Sequence, residues 1–416
     1  MRKKKLLNIF LATAVALGTA GCGGDDEDEV VQVMDAQKEF GCNVINIYNA
    51  GEYIDEDVVP NFETMYNAHI NYDTFESNEM LYTKLLGGNA YDVLVPSDYM
   101  IEQLLDEKML QPVNKEQLTN LENLDPNVVE MQKAFDPDLE YAVPYFWGSV
   151  GLVYNRTTVD EDVIKEKGWD ILLDTDYKGR IFFYDSQRDA FMIAFKALGY
   201  SMNTDNTQEI NEAYQWLRQM NNTMEPSYVT DEVIDGMING EMDIAVMYSG
   251  DAAYVLYENM DMAWIEPDQG TNLWVDAMVI PKSSTCPGLA NEFINYIIDN
   301  DIQTANSEYV GYTSVITEVE EEVAGPDGDY FEISAYTPRT GYEKDEVFHY
   351  NEELKKQLSD LYNKVKISVG QTSDDSETEV SPLRKALPWI ILAAAAAGIL
   401  FGLWYHKKRK YRYRTR

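Results

Sequence analysis

Short runs of β-forming residues alternate with amphipathic helical segments along most of this chain, and that alternation restricts it to an α/β architecture. In NVINIY (43–48), Ile45 and Ile47 would share one face of a strand, with Val44, Asn46 and Tyr48 on the other. Val93-Leu94-Val95, Ile181-Phe182-Phe183, Ile244-Ala245-Val246-Met247 and Ala277-Met278-Val279-Ile280 read as further buried strands. Between them, Ala190, Phe191, Ala194, Phe195 and Leu198 fall on one helical face that stops at Gly199. Ile210, Ala213, Trp216, Leu217 and Met220 form a second face, capped by Asn206 or Thr207, and Phe293, Ile294, Ile297 and Ile298 a third. The expected result is an α/β body over 43–368, with mostly parallel sheets and, at 416 residues in all, more than one domain.

The loops at the ends of these strands carry the chemistry. Asn49-Ala50-Gly51-Glu52-Tyr53 succeeds the first strand, Pro96-Ser97-Asp98-Tyr99 the second, Tyr184-Asp185-Ser186-Gln187-Arg188-Asp189 the third and Tyr248-Ser249-Gly250-Asp251 the fourth. Ligands of open α/β sheets bind beyond the carboxyl ends of the strands. Here those ends present carboxylates and aromatic rings, again and again.

Charge agrees with an acidic binding surface. Thirteen of the 33 Lys and Arg lie in 1–21 or 384–416, where there is no Asp or Glu, so 22–383 carries 20 positive and 72 negative charges, a net of −52. Nucleic acid is excluded as a partner for that stretch, because phosphates would be repelled. A cationic ligand would be attracted, although an acidic surface that serves only solubility has the same composition.

Both ends read as membrane signals. Arg2–Lys5 and the apolar 6–21 form a signal peptide over 1–21. It ends at Thr19-Ala20-Gly21-Cys22, which resembles a bacterial lipobox and would make Cys22 the lipidated N-terminus. An acidic spacer (22–42) comes next. At the other end a polar linker (369–385) leads to an uncharged stretch, 386–405, with Trp389, Trp404 and Tyr405 near its borders. That stretch is expected to be a C-terminal transmembrane helix, with 406–416 as a basic cytoplasmic tail. The binding domain would then sit on the extracytoplasmic face of the cell membrane. Cys42 and Cys286 are free or paired; spacing leaves both open.

Trp274-Val275-Asp276 shows the site pattern best. Residues two apart on a strand face the same way, so indole and carboxylate would point into one space. A core Trp beside a surface Asp fits the triplet equally well. A polyamine needs such a combination: carboxylates for its ammonium groups, flat rings for its methylenes, and roughly 0.5–2 kcal/mol from each cation–π contact.

The stretches NAGEYIDEDVVPNFE (49–63), FESNEMLYTKL (75–85), YDVLVPSDYM (91–100), YAVPYFWGSVGLVYN (141–155) and LWVDAMVIP (273–281) occur in order and resemble the spermidine/putrescine-binding proteins of bacterial ABC transporters. The resemblance implies a two-lobed, periplasmic-binding-protein-like (type II) α/β fold. Lobe 1 would comprise 43–147 and 276–320, lobe 2 would comprise 148–275 and 321–368, and hinge strands near 145–153 and 273–277 would join them. It implies a monomeric receptor that captures putrescine or spermidine and delivers it to the permease of an ABC importer, with no cofactor and no metal.

Carried over by position, the resemblance implies ligand contacts at Gly51, Glu52 and Tyr53, at Ser97 and Tyr99, and at Ser186 and Asp189. It implies others at Tyr248 and Asp251, at Trp274 and Asp276, and at Tyr312, with Asp276 the main partner of an amine. The segment 348–352 is expected to close the site. Ala50 stands where the family has a Trp, Tyr248 replaces a Trp, Asp189 replaces a Glu and Ser186 replaces an acid, which leaves the length of the polyamine open. The same fold could serve another small cation or an amino acid. An exported hydrolase is the remaining alternative, but with three His and no G-x-S-x-G, H-E-x-x-H or Walker A pattern the chain has no catalytic residue to assign.

Overall fold

The computed structural model describes residues 34–367. Its strands are β1 (Val44–Ala50), β2 (His69–Phe75), β3 (Val93–Leu94), β4 (Leu110–Gln111), β5 (Ala142–Asn155), β6 (Ile181–Tyr184), β7 (Ser227–Val229), β8 (Ile244–Tyr248), β9 (Met262–Ile265), β10 (Leu273–Pro281) and β11 (Thr313–Ser314). The order β2-β1-β3-β10-β5-β8-β6-β7 forms two half-sheets that share β5.

The 14 residues of β5 make the division legible. Its first half pairs with β10, from Ala142 opposite Val279 to Ser149 opposite Leu273. Its second half pairs with β8, from Val150 opposite Tyr248 to Tyr154 opposite Ile244. One strand therefore belongs to two lobes, and the chain passes between them at Ser149–Val150. Parallel pairing holds β1 to β2 and β3, and β6 to β7 and β8. The strands that carry the chain across, β5 and β10, are antiparallel to their neighbours, so the sheet is mixed rather than mostly parallel. A crossing strand must return against the direction of the strands it joins, and local sequence pattern does not report that direction.

The two faces of β1 enter different cores. Ile45 and Ile47 pack with Phe62, Val93 and Phe293, while Tyr48 turns to the other face and joins Leu81, Leu94 and Leu104. In the second lobe, Trp169, Phe191, Phe195, Leu217 and Ile244 form a third cluster. Each such buried side chain contributes roughly 1.5–3 kcal/mol, against about 0–1 kcal/mol for an exposed ion pair, so these clusters hold the fold.

Helix boundaries obey their caps. The helix Gln187–Ala197 begins at Ser186, whose side chain accepts from the Asp189 N–H. The helix Thr207–Met224 begins at Asn206, whose side chain accepts from the Gln208 N–H. The last described helix, Glu352–Ile367, seats Leu358, Tyr362 and Val365 on the second lobe, with the Lys366 ammonium on Asp185.

The two-lobed α/β architecture stands, but the expected C-terminal transmembrane helix finds no support among the described residues. Among the described residues no helix is long and apolar enough to cross a membrane. The longest of them, Thr207–Met224, is amphipathic, with Gln208, Asn211, Gln215 and Gln219 exposed opposite its apolar stripe. The stretch 386–405, on which the expectation rested, lies outside the described residues, as do the signal peptide 1–21, Cys22 and the tail 406–416.

Cys42 and Cys286, which spacing alone left open, are joined in a disulfide across a sequence separation of 244, with Cα atoms 6.1 Å apart. It ties the entry to β1 to the start of the helix Pro287–Ile297 within the first lobe.

Candidate functional site

The site is assembled where β5 and β10 pass between the lobes. Trp274 and Asp276 lie two apart on β10, and the pairing shifts register between Asp276 and Ala277. Such an irregularity re-aims a side chain, and here it sets Asp276 beside Ser97 in an isolated bridge. The Tyr53 hydroxyl donates to Asp276 Oδ2 at 2.8 Å, while Oδ1 is buried with no hydrogen-bond partner. Burial pushes the Asp276 carboxyl up to about 6, with the Ser97 hydroxyl and the Tyr53 phenol acting to lower it.

From Asp276 a wall of rings runs across the gap between lobes. Tyr53 stands edge-on to Tyr312 at 5.5 Å, Tyr312 to Trp274 at 5.3 Å, and Trp274 to Tyr248 at 6.2 Å. Tyr184 meets Tyr248 at 5.0 Å and completes the row. Two glycines make the packing possible. A Cβ at Gly148 would come within 2.5 Å of Trp274, and one at Gly250 would collide with the Tyr312 ring.

Each phenol of this wall that meets a carboxylate donates to it. The Tyr312 hydroxyl donates to Asp251 Oδ1 at 3.0 Å, and the Tyr248 hydroxyl donates to Asp189 Oδ2 at 2.7 Å. Asp251, in the first turn of the helix Ser249–Glu258, is pushed up to about 7 by burial, with Tyr312 lowering it and the Asp231 charge raising it. Burial likewise raises Asp189, while Ser186 and Tyr248 oppose the shift. The phenols of Tyr53, Tyr248 and Tyr312 are held far above the ordinary tyrosine range by burial and by the facing carboxylates, so they remain donors.

Ser97 is held in place by Asn78, whose amide donates to Ser97 Oγ at 3.0 Å. Tyr99 lies under the guanidinium of Arg188, with Cζ 3.0 Å from the ring centroid. Ser186 serves as a helix cap, its Oγ accepting from the Asp189 N–H at 3.4 Å. Gly51 and Glu52 stand apart. They are exposed at the tip of the loop after β1, where Glu52 takes a φ of 52°, outside the network of phenols and carboxylates.

Sequence reasoning missed Asp98, Asn78, Tyr184 and Arg188. Asp98 is 1% exposed, with Oδ2 unpartnered. Burial pushes it up to about 8, against the Tyr99 backbone N–H and the Arg188 charge. Its position directly after Ser97 was the available signal. Phe348, in the segment expected to close the site, lies with its ring centroid 5.0 Å from the Arg188 Cζ.

The arrangement is thus four carboxylates around a row of flat rings, Asp98 and Asp189 buried and Asp251 and Asp276 half-buried, of which Asp189, Asp251 and Asp276 each accept from a phenol. Such a space attracts an organic cation.

Comparison with known proteins places this architecture. The spermidine/putrescine-binding periplasmic protein of Escherichia coli is 30% identical over 312 residues, which cover 74% of this chain and 84% of the relative. The putrescine-binding periplasmic protein of the same species is 27% identical over 287 residues, 65% of this chain and 77% of the relative. Among solved structures, a spermidine/putrescine ABC transporter substrate-binding protein from Streptococcus pneumoniae is similar with a TM-score of 0.68 and 33% identity, covering 78% of this chain and 99% of that one. The description "bacterial extracellular solute-binding protein" matches residues 57–330, more than half of the chain. The chain belongs to the bacterial extracellular solute-binding protein family.

Proposed function

We propose that this protein is a polyamine receptor: it takes a short aliphatic polyamine into the gap between its lobes and hands it to the permease of an ABC importer. One observation carries the reading. Asp276 keeps a buried oxygen without a partner beside Tyr53, Trp274 and Tyr312, and an ammonium group would complete it while its methylenes lie along the rings. The relatives named for spermidine and putrescine support the same ligand class.

The polyamine is bound and released, without chemical change. The lobes, 43–147 with 276–320 and 148–275 with 321–368, would close over it, with Gly51 and Glu52 brought in from the rim on closure. The protein acts as an exported monomer held to the membrane by a lipid on Cys22. The Cys42–Cys286 disulfide is in keeping with an oxidising compartment.

A thermal-shift panel on the full chain tests this: putrescine, cadaverine, spermidine and spermine, with amino acids, thiamine and ferric ion as controls. A polyamine present at a hundred times its Kd stabilises by about 2.7 kcal/mol through mass action, and at least one is expected to raise Tm while the controls leave it unchanged. A shift with a control alone rejects the reading.

A further inference from the structure

The chain just beyond Glu346 is built into the second lobe but touches the first. Phe348 is buried with Trp169, Phe191 and Leu358 in the second-lobe cluster. Asn203 fixes the backbone on either side of that ring: its Nδ2 donates to the Val347 carbonyl at 2.9 Å, and its Oδ1 accepts from the His349 N–H at 2.9 Å. The helix Glu352–Ile367 then continues over the same lobe through Leu358, Tyr362 and Val365. These residues therefore move with the second lobe.

Their other side meets two acids of the first lobe. Glu102, one turn into the helix Asp98–Asp106, accepts from the Tyr350 backbone N–H at 2.5 Å, and the His349 Nδ1 stands 3.6 Å from the same oxygen. Glu79, in the helix Asn78–Leu86, pairs with the Lys355 ammonium at 2.9 Å. Both acid-bearing helices are rooted in the core beside Tyr48 and Leu94, through Leu81, Leu85, Met100 and Leu104. Each contact thus has its two halves on different lobes, and a rotation about Ser149–Val150 would part them.

An exposed ion pair such as Glu79–Lys355 adds little to folding. A contact that exists in the closed arrangement and not in the open one acts differently, because its whole free energy shifts the balance between the two. Closing also works against the charge of the chain, 72 Asp and Glu to 33 Lys and Arg, so two acidic lobes need something to hold them. Resting on the receptor reading of the cleft, we propose that residues 347–355 are a closure latch: by gripping Glu102 and Glu79 they keep the lobes together and slow the escape of the ligand. A captured amine leaves only after the lobes part, so the latch is read in the dissociation rate and not in the association rate.

The test joins stopped-flow fluorescence to small-angle X-ray scattering, on the full chain, for wild type, Glu102→Ala, Lys355→Met and the double variant, with putrescine and spermidine as probes. In the double variant the dissociation rate is expected to rise by about tenfold or more, while the association rate changes by less than about threefold. Without amine, the double variant is expected to have a larger radius of gyration than wild type; with saturating amine the two should coincide. If Glu102→Ala does not fold, Glu102→Met gives the same readout, since it keeps the side-chain bulk and removes the acceptor. A double variant whose dissociation rate and radius both match wild type overturns the latch and leaves the receptor reading intact. A wild type that binds neither amine overturns the receptor reading, and the scattering comparison, which needs no ligand, then decides by itself whether 347–355 holds the lobes together.

Discussion

Two aspartates, one buried beneath the first lobe and one half-buried in the gap between lobes, show how differently the same side chain is treated. Asp92 is 2% exposed and fully served. Its Oδ1 accepts from the Ser284 hydroxyl at 2.7 Å and the backbone N–H groups of Thr285 and Cys286 at 3.2 and 3.3 Å. Its Oδ2 accepts from the backbone and side-chain nitrogens of Asn46 at 2.9 and 3.2 Å. Asp276 has one phenol at 2.8 Å and a second oxygen with no partner. Buried polar groups in folded proteins are nearly always paired, so an exception asks for a reason. Asp92 ties the β1–β3 edge to the disulfide-bearing turn. Asp276 is held ready for something else.

The contrast can be broken most forcefully at these two positions. Asp276→Asn is expected to weaken polyamine binding by about 2–5 kcal/mol, the scale for removing half of a buried charge pair, without lowering Tm. Asp92→Asn should do the reverse, costing about 1–3 kcal/mol of stability through the buried donors it leaves unpaired, with affinity nearly unchanged. Calorimetry and urea denaturation of both variants separate the two roles, and a pair of variants that lose affinity and stability alike would erase the distinction.

Cutting the disulfide sharpens the structural side. Replacing Cys42 and Cys286 by Ala should cost about 2–5 kcal/mol of unfolding free energy, read in urea, and leave the polyamine Kd of the folded fraction in place.

The cleft carboxylates also dictate a pH response. In the unliganded receptor Asp276 and Asp251 are held up at about 6 and 7, against an ordinary aspartate value of about 3.9. A bound dication favours their ionised forms, so affinity should rise as pH increases through this range and level off above it. Linkage runs the other way for the unliganded fold: its carboxyls keep protons that the unfolded chain has released, so their stabilising contribution is present below about pH 4 and is lost as pH rises through the folded values. Calorimetry in buffers of different ionisation enthalpy should detect proton release on binding near pH 6. Uptake of protons there, or affinity that falls between pH 5 and 8, would contradict the assignment.

The smallest expected effect lies in the second lobe. Tyr248→Phe removes a single phenol hydrogen bond to Asp189 while keeping the ring against Trp274, a change of about 1 kcal/mol in affinity.

Much of this geometry was legible because it depends on short-range periodicity. The two-residue spacing of Trp274 and Asp276 brings both to one cluster, and the segments after β1, β6 and β8 bring Tyr53, Asp189 and Asp251 to the same gap. Other features depend on distances the pattern does not contain. The disulfide closes over a sequence separation of 244, and the antiparallel sense of β5 and β10 is a property of the crossing between lobes. Arg188 has a long, flexible side chain, and neither its register nor its spacing indicates that it will reach Tyr99. Asp98 sits in the first turn of the helix Asp98–Asp106, where an acid ordinarily needs no explanation beyond the helix dipole. The solvent-exposed placement of Gly51 and Glu52 reflects a loop tip in which Glu52 adopts the left-handed region.

A crystal structure of the protein soaked with putrescine at pH 8 bears most directly on whether the unpaired carboxylate of the cleft is an amine site. The expected result is an ammonium nitrogen roughly 3 Å from Asp276 Oδ1, with the carbon chain lying against Trp274 and Tyr312. Density for the diamine elsewhere, with Asp276 Oδ1 still unpartnered, would contradict it.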